Sequence, residues 1–248
     1  MYRLVVFVMC LRIVNNAQLP ENIKKCRFGD NECIKGSINE LIKLYPNGIP
    51  ELNISPFSDF RPSDLQLWDS PKVGGTWITF RLTNQVISGC ENATVTRVSG
   101  FAEDPAKSKI QIEVNIPRMI HRSQYEMELR WLTMVQTNTT GPCYAEFQNV
   151  SLVLNVKVIV TYKMEKRYLK IYELVPELDL GRFTLKLDGL YKENEDLTLA
   201  VNRVYNENWI ELWNDVEPTV ISSYGRRGAE LLDKIFATIS YDDMFLRN

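Results

Sequence analysis

DLTLAVNRVYNENWIELWNDVEPTVISSYGRRGAELLDKIFATI, residues 196–239, carries apolar side chains at steps of three or four. Val201, Tyr205, Trp209, Leu212, Val216, Val220, Tyr224, Leu231, Ile235 and Ile239 fall on one helical stripe. As a single helix these 44 residues would extend about 66 Å. Pro218 removes a backbone hydrogen bond, which predicts a kink or short break there. An apolar stripe of that length needs a covering surface of equal length.

The segment from Thr76 to Leu187 supplies one, because there the apolar period falls to two. Ile78, Phe80 and Leu82 alternate with Thr79 and Arg81, and Ile110, Ile112, Val114 and Ile116 with Gln111, Glu113 and Asn115. Met127, Leu129 and Trp131 alternate with Glu128 and Arg130. Val150, Leu152, Leu154, Val156, Val158 and Val160 form the longest row, and Phe183, Leu185 and Leu187 the last. One apolar and one wet face per strand is the pattern of an antiparallel sheet. Strands this long favour a curved sheet over a compact sandwich. The pattern predicts an α+β fold, with an antiparallel sheet wrapped lengthwise around a long C-terminal helix. A short N-terminal helix precedes it: Ile34, Ile38, Leu41, Ile42 and Tyr45 recur at helical spacing. Asp30 or Asn31 caps its start, and Pro46 with Gly48 ends it. GIPELNISPF, residues 48–57, reads as extended chain held open by Pro50 and Pro56.

The compartment decides how the cysteines are read. MYRLVVFVMCLRIVNNA, residues 1–17, has the form of a secretory leader: Arg3 is followed by an apolar run from Leu4 to Leu11. That run is too short to span a bilayer, which takes about 20 apolar residues. No later segment is a spanning candidate, so the expectation is an exported chain without stable membrane insertion. Export leaves Cys26, Cys33, Cys90 and Cys143, an even set with three possible pairings. CRFGDNEC, residues 26–33, has the wrong spacing for a CxxC redox site, and a zinc site would need ligands that a chain with one histidine lacks. Cys26 and Cys33 therefore read as a staple. Cys90 and Cys143 pair by elimination. Sequons stand at Asn53, Asn92, Asn138 and Asn149; Asn138 reads as an exposed loop, and Asn149 as the least accessible.

Loss of the leader takes the formal net charge from −2 to −4, and no Lys/Arg run exceeds three residues, which argues against nucleic-acid binding. The length suits one domain over residues 18–248. Catalytic signatures are missing: there is no G-x-S-x-G, HExxH or P-loop. His121, the one possible base, lies in the turn-like MIHRSQ and reads as exposed. Asp242 and Asp243 read as a solvated C-terminal turn rather than a metal site. In NENW, residues 206–209, the spacing puts Trp209 on the apolar stripe and Glu207 off it.

Several segments together resemble the takeout / juvenile hormone-binding protein family of insects. They are LPENIKKC (19–26) with the C-x6-C pair, GIPELNISPF, NIPRMIHRSQY (115–125), TTGPCYAEF (139–147), VNRVYNENWIELWNDVEP (201–218) and ISYDDMF (239–245). The resemblance covers nearly the whole mature chain, in order. It implies a tubular lipid-binding fold: a long helix in a strongly curved sheet, with an apolar tunnel between them. It also implies a secreted carrier of small hydrophobic molecules, without cofactor, metal or catalytic groups. By strand alternation, the tunnel would be lined by Ile112, Val114, Leu129, Trp131, Leu152, Leu154, Leu185 and Leu187. Dedicated hormone carriers in the family have a second bridge among later segments. Here no cysteine follows Cys143, and Ser58, Asp59 and Phe60 stand where the family has Asp-Pro-Leu. A broader takeout-like carrier of a terpenoid, fatty-acid-like or other lipid fits better than a carrier of the hormone itself. Two alternatives are a secreted interaction or membrane-surface module without a ligand, and a lipid esterase.

Overall fold

The computed structural model describes residues 17–131 and 135–246, with backbone alone at residue 131 and residues 135–137. The expected leader lies outside the described residues up to residue 16.

Helix α1 (Asn31–Leu44) is capped by Asp30, whose carboxylate accepts from the backbone N–H of Cys33 at 3.1 Å. The Cys26–Cys33 disulfide closes the loop before it, with Cα atoms 5.7 Å apart. Cys26 also lies beside the C-terminal end of the chain, where the Leu246 N–H donates to the Cys26 carbonyl at 2.9 Å. The stapled loop is thus tied through Cys26 to the segment at Phe245 and Leu246. GIPELNISPF is not extended. Residues Pro50–Leu52 form a 3-10 turn, Asn53 follows with φ 57°, and Ile49 bridges to Ile54. The apolar Ile49 and Leu52 draw the segment into a turn by packing with Ile239.

Seven antiparallel strands follow: β1 (Leu65–Asp69), β2 (Thr76–Ser88), β3 (Thr94–Ser99), β4 (Ile110–Trp131), β5 (Val135–Lys163), β6 (Lys166–Asp179) and β7 (Arg182–Leu187). β4 and β5 pair from Ile110↔Val156 to Trp131↔Val135 and form the spine. The free edge of β4 is covered first by β2 and then by β3; that of β5 by β7 and then by β6. At one level of the sheet each of these ribbons carries a residue that breaks the pleat. Gly89 has φ 103°, and a Cβ there would lie 2.3 Å from the Arg118 carbonyl. Pro117 lacks an N–H, Asn149 has φ 52°, and a Cβ on Gly181 would fall 3.2 Å from that of Asn149. Across this crease the inward-facing positions change phase although the β4–β5 pairing does not slip. In β4 the buried set passes from Ile110 and Ile116 to His121, Ser123, Tyr125 and Met127; in β5 it passes from Cys143 and Ala145 to Val150, Val156 and Val158.

Helices α2 (Glu195–Glu207), α3 (Trp209–Thr238) and α4 (Tyr241–Met244) complete the fold. The break in the long helix falls at Asn208, not at Pro218. The Asn208 backbone N–H and side-chain amide both donate to the Val204 carbonyl, at 3.0 and 2.8 Å, and end α2 there. Pro218 stays inside α3. It and Asn214, whose carbonyl it leaves without a helical donor, are both exposed, so water serves in place of the missing bond. The acidic pair is not a solvated turn either. Asp242 accepts from the backbone and guanidinium of Arg167, and Asp243 pairs with Lys166 at 2.6 Å, so α4 is clamped to β6.

α2 is held to the sheet by two side-chain amides. Asn202 accepts from the Leu187 N–H at 2.8 Å and donates to the Leu187 carbonyl at 2.9 Å. One turn on, Asn206 does the same to Leu185, at 2.8 and 2.7 Å. Asn202→Ala would leave a buried N–H and a buried carbonyl unpaired at Leu187. At about 1–3 kcal/mol for each such group, the expected cost is about 3 kcal/mol, read as a lower urea midpoint at unchanged slope.

Candidate ligand cavity

Side of the crease decides how the space between helix and sheet is used. On the side of β3 and β6, Val95, Val98, Ile110, Val156, Val158, Leu169 and Ile171 form a close-packed cluster with α1 and with Tyr241 and Phe245. On the other side the packing leaves a cavity of about 270 Å³. Four strands there contribute alternate residues, Leu65 and Leu67 from β1, Ile78, Phe80 and Leu82 from β2, Cys143, Ala145 and Phe147 from β5, and Phe183, Leu185 and Leu187 from β7, and β4 adds His121 and Met127. α3 covers them with Leu212, Val216, Val220 and Tyr224, each one turn from the next, together with Trp213, and α2 adds Tyr205. Phe147, Phe183 and Trp213 pack ring to ring, with centroids 5.1–5.8 Å apart.

Of the positions expected from alternation, Leu185 and Leu187 lie on this wall. Ile112, Val114 and Leu154 do not; they pack against the closed cluster beyond the crease. Leu152, paired with Val114 and Leu178, belongs to the same half of β5 and is off the wall. Leu129 supports the cluster around Tyr125 and Met127 from outside the cavity. The Trp131 side chain lies outside the described residues. The row from Val150 to Val160 is the longest in the sequence, but the crease at Asn149 sends it into the filled end.

His121 is no exposed turn residue. It sits in mid-β4 between Ile87 and Ala145, is 5% exposed, and lines the cavity. The signal was present in the alternation: Arg122, Gln124, Glu126 and Glu128 are polar, so stepping back from Met127 puts Tyr125, Ser123 and His121 on the apolar face. Burial pushes its imidazole down to about 4, so it is neutral near pH 7. Neither His121 Nε2 nor Ser123 Oγ has a hydrogen-bond partner.

Cys90 and Cys143 are free thiols rather than a second bridge. Cys143 faces Ser123 across β4–β5, whereas Cys90 lies beside Met119, with the two sulfurs 4.0 Å apart. Met119 and Ser123 are about 13 Å apart along the strand, well beyond the ~7 Å limit for bridged Cα atoms. Burial pushes both thiols up to about 11, which keeps them protonated and unreactive. The sequons also sit differently from expectation. Asn138 is exposed but lies within β5, paired with Glu128, and Asn149 is exposed as well. The Asn53 amide donates to Thr238 at 2.7 Å.

The histidine makes stability depend on pH in a specific window. Above pH 6.5 the imidazole is neutral in both states. Between pH 6.5 and 4 the unfolded chain takes up a proton that the folded protein refuses, so stability falls as pH falls. The full loss is about 3 kcal/mol, and His121→Phe should remove it. Urea unfolding at pH 7, 5.5 and 4.5 checks this slope. Glu146, held at about 2 chiefly by its hydrogen bond from Arg118, adds a loss only as pH falls below its unfolded value of 4.5.

The family model for haemolymph juvenile hormone binding protein matches residues 4–246. The circadian clock-controlled protein daywake of Drosophila melanogaster is 23% identical over 252 residues, covering 96% of this chain and 92% of its own. Daywake of Drosophila yakuba is 21% identical over 243 residues, covering 94% and 91%. The crystal structure of Takeout 1 from Epiphyas postvittana superposes with a TM-score of 0.73 at 15% identity, over 88% of this chain and 97% of that one, which establishes the same fold. The chain belongs to the takeout / haemolymph juvenile hormone binding protein family.

Proposed function

We propose that the protein is a secreted carrier that holds a small hydrophobic molecule, a terpenoid, fatty-acid-like compound or other lipid, in the cavity between α3 and the sheet. The observation that carries this reading is the cavity itself. Its volume, about 270 Å³, lies just under the ~300–1,000 Å³ typical of small-molecule sites, and its wall is almost wholly aliphatic and aromatic. An apolar void of this kind stays dry and takes up apolar guests. The name of the family points the same way, since it is named for hormone binding.

Secretion is supported by the leader-like sequence and by the Cys26–Cys33 disulfide, which persists in an oxidising compartment. Among the described residues no helix is long and apolar enough to cross a membrane. In such a compartment Asn138 is the favoured glycan acceptor, since its side chain is exposed while that of Asn53 is engaged with Thr238. A carrier suits the cavity better than an esterase. Acyl transfer needs a nucleophile hydrogen-bonded to its base, and His121 and Ser123, two residues apart on one strand, have no such bond.

The reading is tested by extracting the secreted protein with organic solvent and identifying co-purified lipophiles by mass spectrometry, alongside binding of a fluorescent apolar probe. Ala145→Leu places three further carbons in the void. It should weaken probe binding at least tenfold while costing less unfolding free energy than the ~1–3 kcal/mol of overpacking a filled core. Absence of both a co-purified lipophile and probe binding would overturn the carrier reading.

A further inference from the structure

The cavity wall is mostly hydrocarbon and aromatic, with the sulfurs of Met127 and Cys143 and the rings of Tyr205 and Tyr224 among it, and at one end β4 brings in His121. Most polar groups around that end already have partners. The Tyr224 hydroxyl meets Gln85 Oε1 at 3.3 Å, and the Gln85 amide donates to the Ser63 carbonyl. Arg227 stacks over the Tyr224 ring at 5.4 Å, outside the wall, and donates to the Asp64 carbonyl. Ser123 Oγ and Arg227 Nη1 are also buried without partners, but neither residue is on the cavity wall. His121 is different: its ring is 5% exposed, it forms part of the wall, and Nε2 is unpaired. Native proteins rarely leave a buried polar atom in that state without an ion, a water or a ligand to meet it.

We propose that His121 Nε2 is the recognition point for the polar head of the ligand. The molecule carried is then an amphiphile, with an apolar body against β1, β2, β7 and α3 and one neutral oxygen function, a hydroxyl or carbonyl, hydrogen-bonded to His121. This rests on the carrier reading and narrows it. A neutral imidazole presents Nε2 as a lone pair or as an N–H, depending on tautomer. A hydroxyl satisfies either form and a carbonyl the second. A carboxylate is disfavoured because no cationic side chain is on the wall, and its desolvation would go uncompensated.

Decanol and decyl chloride test the proposal, since they share a chain and differ in the head. Affinities come from displacement of a fluorescent apolar probe. Moving a hydroxyl out of water is costly in itself, so the informative quantity is the change in the decanol-to-chloride affinity ratio, not the ratio alone. His121→Phe should lower decanol affinity about five- to tenfold more than decyl chloride affinity, the loss expected for one hydrogen bond. A second readout needs no variant. His121 is the single histidine of the chain, so its imidazole nitrogen resonances are assignable directly. Decanol should shift the Nε2 resonance, and decyl chloride should not. Equal losses for both probes together with an unmoved Nε2 resonance would overturn the head-group assignment, a fixed water being the partner instead, and leave the carrier reading standing. A wild-type protein that binds neither probe overturns both.

Discussion

A strand at the edge of a sheet leaves N–H and C=O groups without partners, and in this protein those of β7 face a helix instead of water. Asn202 and Asn206 meet them. Their spacing explains why a helix can do so: four residues of helix rise about 6 Å, and two residues of strand advance about 6.8 Å. Successive amides on α2 therefore come opposite alternate residues of β7, Leu187 and Leu185. A planar carboxamide is the short side chain that both donates and accepts, so each asparagine pairs with a backbone residue as another strand would. The pairing fixes α2 in rotation and in height. Tyr205, between the two asparagines on α2, and the inward-facing Leu185 and Leu187 then meet as parts of one cavity wall. α3 continues from α2 through Asn208, so its apolar stripe inherits that placement.

Much of the architecture was legible in the chain, because the two apolar periods are long and do not overlap. The helical stripe of residues 196–239 and the strand rows between 76 and 187 demand a sheet around a helix, and α1 with its Asp30 cap and staple is local chemistry. What alternation could not convey was the crease. Pro117, Asn149, Gly89 and Gly181 are far apart in sequence, and each alone reads as a turn or an irregularity. Their alignment at one level depends on pairing register, which is a tertiary fact. The break at Asn208 was hidden for a related reason. Proline was the visible helix breaker, but on a solvated face its missing bond costs little, whereas an asparagine amide can end a helix wherever it folds back onto a carbonyl.

The candidate site was less legible than the fold. Leu185 and Leu187 followed from alternation because β7 lies wholly on the cavity side. The apolar rows of β4 and β5 misdirect, since hydrophobicity marks burial without saying whether the buried space is filled. His121 was obscured by its setting: arginines flank it at positions 118 and 122, and a proline stands nearby, which together resemble a turn. Counting back from Met127 places it inside, and only the pairing with Ile87 and Ala145 shows that the inside there is a cavity.

The division into a filled end and a hollow end has an energetic logic. An unfilled apolar cavity forgoes packing contacts in proportion to its volume, and at about 270 Å³ this one is several side chains short of a filled core. A deficit of that kind weighs against a total stability that is only about 5–15 kcal/mol for a typical domain. The fold tolerates such a void because stabilising contacts are concentrated elsewhere. The closed cluster, the Cys26–Cys33 staple and the Asp242–Arg167 and Asp243–Lys166 ion pairs all lie at the far side of the crease. A guest of matching shape would restore much of the missing packing, and its binding free energy adds directly to the stability of the folded state. The contacts the empty protein forgoes at one end are thus the same contacts from which affinity for a hydrophobic ligand can arise.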